Sequence, residues 1–131
     1  NEHLILYNTA IGIFLEKPIF GSGIKNFRNE SQLIKRKYPE KNYSPSNHPH
    51  QFHFEILSEL GLIGYFLILS NLFYIIFKNK KFYNDFLKQN SFLFIVATLV
   101  PILPSGSFFT SFGATIFWIN YSFLINSKIT K

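Results

Sequence analysis

Three histidines stand close together in His48-Pro49-His50-Gln51-Phe52-His53, and Glu55 and Glu59 follow at short intervals. Imidazole is the side chain whose ordinary titration lies near neutral pH, so a histidine here could accept a proton from a hydroxyl group. Three readings fit these residues. One histidine could be a catalytic base, the set could serve structure through hydrogen bonds, or His48, His50 and His53 with Glu55 could bind a metal. Against the metal reading, the chain lacks paired histidines one helical turn apart and has no cysteine.

Upstream of the histidines lie Lys25, Arg28, Lys35, Arg36, Lys37 and Lys41. These cations could hold anionic lipid headgroups or a diphosphate, or remain solvated. Arg28 is the best single candidate for an anion, because a guanidinium grips two phosphate oxygens at once. Lys17-Pro18 and Gly21-Ser22-Gly23 read as a turn, since proline fixes one backbone dihedral and glycine permits positive ones. As a nucleotide-binding fingerprint the glycine pair lacks a third glycine and a preceding strand.

The elements that must carry these groups follow from where charge is absent. The chain has 131 residues, 47% of them hydrophobic and 19% aromatic, and no cysteine, which excludes a disulfide scaffold and a disordered chain. Its net charge of +6 does not point to nucleic acid, because the charges are segregated. Eighteen residues between Glu59 and Lys78 carry no charged side chain, and neither do thirty-nine between Lys88 and Lys128. A bilayer core of about 30 Å takes roughly 20 apolar helical residues. A soluble domain would need a polar surface that residues 89–127 do not supply.

The expected fold is therefore all-α, a polytopic helical membrane protein with a periplasmic loop. Residues 1–15 end a preceding transmembrane helix, and 16–59 form the loop with the candidate site. A helix starting near His50 runs through Phe54, Leu57 and Leu60 without a break into a span at 60–77. Residues 90–126 form a helical hairpin, with spans at 90–104 and 107–126 divided by Pro101, Pro104 and Gly106. Gly61 and Gly64 allow a neighbouring helix to approach closely. Lys78, Lys80, Lys81 and Lys88 place 78–89 in the cytoplasm, and Lys128 and Lys131 do the same for 127–131, so the histidines face outward. The absence of methionine suggests a piece of a longer protein.

Two stretches resemble the O-antigen ligase and O-antigen polymerase superfamily of bacterial envelope membrane proteins, in a match extending over most of the chain. Lys17-Pro18-Ile19-Phe20-Gly21-Ser22-Gly23 is similar to that family's Pro-x-x-Gly-x-Gly segment before its large periplasmic loop. His50-Gln51, the nine residues Phe52 to Leu60, Gly61, Leu62-Ile63 and Gly64 fit the family's histidine motif throughout. An arginine that the family carries near the start of the preceding helix is His3 here.

The resemblance implies a metal-independent inverting glycosyltransferase in the bacterial inner membrane, acting without a cofactor. It would move a glycan from a polyprenyl diphosphate carrier to an acceptor hydroxyl, lipid A-core by default. Polymerases and protein-glycosylating ligases belong to the same superfamily. His50 would be the catalytic base. Substrate binding would fall to Arg28, Lys25, Gln51, His48, Lys35 and Arg36. Outside this class, a transporter subunit for an anionic solute remains open, although such proteins usually place ionisable residues within their spans.

Overall fold

The computed structural model describes residues 2–78, 85–101 and 105–125. They form five helices: α1 Glu2–Glu16, α2 Phe27–Lys37, α3 Phe52–Lys78, α4 Phe86–Leu99 and α5 Ser111–Ile125. No strand occurs among the described residues. Lys80, Lys81, Pro104, Lys128 and Lys131, on which the hairpin turn and the orientation partly rest, lie outside them.

Local chemistry explains most helix ends. Asp85 caps α4 by accepting the Leu87 and Lys88 amides at 3.1 and 3.3 Å. The helix stops at Leu99 because Val100 precedes Pro101 and is extended. Thr110 Oγ1 accepts the Gly113 amide at 3.2 Å, capping α5. The second and third apolar helices are thus shorter than the expected spans 90–104 and 107–126. At 14 and 15 residues they extend about 21–23 Å.

α2 is a helix within the stretch 16–59, expected above to be a loop. Phe27, Ser31 and Ile34 lie on one face and are buried, and the apolar pair packs on Ala10 and Ile13 of α1. Its other positions are mostly charged or polar, as suits a surface helix. A second core joins α3, α4 and α5 through Phe52, Ile56, Leu72, Ile75, Ile95 and Phe117. Phe108 of the α4–α5 linker meets Phe52 edge-on at 5.0 Å and Phe117 at 4.9 Å.

α3 is the one described helix long and apolar enough to cross a membrane, and 17% of its apolar window is buried. Most of that window is open to the surroundings. Leu62, Ile63, Phe66, Leu67, Phe73 and Phe77 are all exposed on it, an apolar surface of the kind that faces lipid or a partner.

α3 is not continuous, contrary to the sequence expectation. Gly61 has φ 65° and ψ −167°, which separates a short charged segment, 52–60, from the apolar run that follows. The break frees backbone groups on both sides, and the loop after α1 satisfies them. The Ser22 and Gly23 amides donate to the Ser58 and Glu59 carbonyls at 3.0 and 2.9 Å. The Leu62 and Ile63 amides donate to the Pro18 and Ile19 carbonyls at 2.9 and 3.2 Å. Gly61 therefore accommodates this chain's own loop, rather than the neighbouring helix expected from its spacing with Gly64.

Candidate functional site

The clasp between loop and broken helix brings the ionisable residues around one polar cavity of about 450 Å³. Lys25 and Arg28 line it from the α1–α2 side, Asn47 and His48 from the segment before α3, and Glu55 and Glu59 from α3 itself. Ser107, Phe109, Thr110 and Ser111 close it from the linker and the start of α5. Beside it lies an apolar groove of about 290 Å³, lined by Phe52, Phe94, Phe112, Ile116 and Phe117 among others. Ser107 and Thr110 belong to both walls.

His50 is not part of the lining but neighbours His48, which is. Its ring centroid lies 4.0 Å from that of His48 and 5.9 Å from that of His3. Its carbonyl accepts the Ser105 amide at 2.9 Å, and among the described residues nothing hydrogen-bonds its ring. Burial, followed by the neighbouring His48 and His3, holds its pKa below the ordinary imidazole value, while Glu55 pulls the other way. Burial lowers His48 as well. Both rings are thereby biased toward the neutral form, the one that can accept a proton.

Gln51 is nearly fully buried and serves as a helix cap instead of facing the cavity. Its side-chain oxygen accepts the Phe54 amide at 2.9 Å, and its amide nitrogen donates to the Pro101 carbonyl at 3.1 Å. Lys35 and Arg36 also stand away from the cavity. Lys35 Nζ donates to the carbonyls of Pro39 and Lys41 at 3.1 and 3.0 Å, and Arg36 is exposed on α2.

His53 has a structural setting. Nε2 pairs with the Leu99 carbonyl at 2.9 Å and Nδ1 with the Tyr65 hydroxyl at 3.0 Å. Donation from Nε2–H leaves Nδ1 to accept the tyrosine proton, so a single neutral tautomer satisfies both contacts. Among the described residues no three histidine, aspartate or glutamate side chains converge on a point where a metal could sit.

Two carboxylates complete the site, and sequence reasoning gave neither a role in the proposed reaction. Glu55 accepts the Ser107 hydroxyl at 2.5 Å and the Phe108 amide at 2.8 Å, tying the linker to α3. Glu59 accepts the Lys25 and Phe27 amides at 2.6 and 3.1 Å. Both are almost inaccessible. Burial raises both pKa values, to about 7 for Glu59, against the opposing pull of these hydrogen bonds. Their one signal in the sequence is the spacing of one helical turn immediately before an apolar run.

Backbone strain marks two of the candidates independently. Lys25 and His50 are the described non-glycine residues with positive φ, at 59° and 58°. Such conformations cost on the order of 1–3 kcal/mol, cluster at functional sites and persist only where surrounding contacts enforce them.

A family model described as O-antigen ligase matches residues 1–69, from α1 to just beyond the break in α3. That is just over half of the chain. No curated protein and no solved structure matches the chain.

Proposed function

The chain belongs to the O-antigen ligase family, and from that premise we propose that it transfers a glycan from a polyprenyl diphosphate carrier to an acceptor hydroxyl. The observation that carries this reading is the pairing of a polar cavity bearing Lys25 and Arg28 with an apolar groove across Ser107 and Thr110. A diphosphate joined to a long isoprenoid needs both surfaces side by side. The apolar exterior of α3 fits a membrane location. In our reading α4 and α5 also lie within the bilayer, with the cavity facing the periplasm.

In the proposed reaction the diphosphate lies against Lys25 and Arg28, which offset charge as the anomeric C–O bond breaks. The acceptor oxygen attacks the anomeric carbon from the opposite face, inverting it, and His50 takes the hydroxyl proton. General base catalysis of this kind contributes roughly 10²–10⁴-fold. His48, on the cavity lining beside His50, orients the acceptor. Lipopolysaccharide core is the default acceptor, with a growing glycan or a protein hydroxyl as the polymerase and protein-glycosylating versions.

A second assignment has an observation behind it: His48, not His50, is the histidine on the cavity wall. Replacing each by alanine in the full-length protein separates the two. With membrane expression matched, His50→Ala should lower glycan transfer by about 10²-fold or more, and His48→Ala by much less. The reverse order would transfer the base role to His48. Full activity in both variants would remove the reaction from this site.

A further inference from the structure

α2 has no local cap. The side chain of its N-cap residue, Asn26, bonds the side chains of Asn29 and Glu30 but accepts no backbone amide of the helix. The acceptor for its first amide comes from far along the chain, where Glu59 Oε1 takes the Phe27 amide at 3.1 Å. The other oxygen of the same carboxylate takes the Lys25 amide at 2.6 Å, at the residue whose φ is 59°. One buried side chain thus holds the strained turn carrying one cavity cation and the helix start carrying the other. A carboxylate also suits a helix N-terminus electrostatically.

We propose that Glu59 is the positioning residue of the donor site, fixing Lys25 and Arg28 toward the cavity through the two backbone amides it accepts. This rests on the reading of the cavity as a diphosphate site. Glu59 does not act on the anion directly, since both its oxygens are taken by backbone amides. It sets the backbone from which the two cations extend. A glutamine at this position keeps the size but replaces one acceptor oxygen with a donor, which must face an amide proton. An aspartate keeps the charge but is one methylene too short to reach both amides.

The consequence is that Glu59 and Lys25 act as one unit. Residues that work through each other give non-additive effects in a double-mutant cycle, whereas a general loss of stability adds to the loss of a cation. The probe is polyprenyl diphosphate carrying no glycan, so that binding is read without any transfer step. With the full-length protein, Glu59→Gln and Lys25→Ala should each weaken binding about tenfold, and the double variant should be no weaker than the poorer single one. With a transferable donor, Glu59→Gln should raise KM by a similar factor and also lower kcat, because the two cations it positions offset charge as the C–O bond breaks.

Multiplicative losses in the double variant, or an unchanged KM with a fallen kcat, would overturn the positioning role. If Glu59→Gln does not accumulate in membranes, Glu59→Asp goes through the same cycle with the same expected and overturning outcomes. Failure here leaves the transfer reaction standing if His50→Ala still abolishes it. Absence of any probe binding by the wild type would instead remove the diphosphate reading.

Discussion

Gly61 and Gly21 are in contact because neither has a side chain. A Cβ on Gly61 would lie 2.6 Å from the Gly21 amide nitrogen, and one on Gly21 would lie 2.5 Å from that of Leu60. Both have positive φ, 65° and 70°. This contact joins the Pro-x-x-Gly-x-Gly stretch to the histidine motif, so the two recognisable segments form one structural unit. It also sets the position of Glu59, two residues before the break, relative to Lys25.

Alanine at either glycine should therefore separate the loop from the helix. The strained φ alone costs about 1–3 kcal/mol, and the added carbon meets backbone atoms that cannot swing away. Gly106 has open space around it, and Gly106→Ala should change stability by less than about 0.5 kcal/mol. Thermal unfolding of the full-length protein in detergent measures the difference. Equal melting temperatures for Gly61→Ala and Gly106→Ala would contradict the clasp.

The acid limb of kcat/KM should report the base. Burial and the nearby His48 and His3 hold His50 below its ordinary value of 6.5. The rate should thus stay high as pH falls to that value and decline only below it. His48→Gln removes one repelling neighbour and should move the limb upward. A limb unmoved by His48→Gln would argue that the titrating group is elsewhere.

Glu55→Ala should destabilise the fold more than Ser107→Ala. Losing the carboxylate leaves the Ser107 hydroxyl and the buried Phe108 amide without their acceptor, each worth about 1–3 kcal/mol. Removing only the hydroxyl forfeits a single bond. Chemical denaturation of the two variants side by side tests the ranking.

Stability should fall as pH rises from about 4.5 to about 7 through the Glu59 contribution. The folded protein holds this proton up to about 7 against the usual 4.5, so between those values the folded state binds more protons than the unfolded state. Above 7 the effect is level. Glu55 is shifted in the same direction. Melting temperatures at pH 5.5 and pH 8 should therefore differ less in Glu59→Gln than in the wild type. An unchanged difference would show that Glu59 does not titrate in this window.

Much of the helical layout was legible because a long absence of charge has few solutions in a folded chain. The cations Lys25 and Arg28, and the histidines, could be singled out by residue type. What stayed hidden depends on contacts between distant segments. The break at Gly61 exists because residues 18–23 supply partners for the freed amides and carbonyls, and no local pattern around Leu60 reveals that. Glu55 could be read only as a possible metal ligand and Glu59 only as a charge following the histidines, whereas the amides and hydroxyl they accept come from residues about 30 to 50 positions away. Gln51 looked like a sugar ligand by its place beside His50, and its role as a cap depends on where α3 begins.

The left-handed backbone at Lys25 and His50 also bears on attempts to make this protein hardier. Glycine or asparagine tolerates that conformation more readily than lysine does, and glycine more readily than histidine. Laboratory selection for heat resistance alone would thus favour exchanges at these two positions early on. If the proposed mechanism holds, the survivors would be robust and inert, having shed a cation and an imidazole to relax two peptide units.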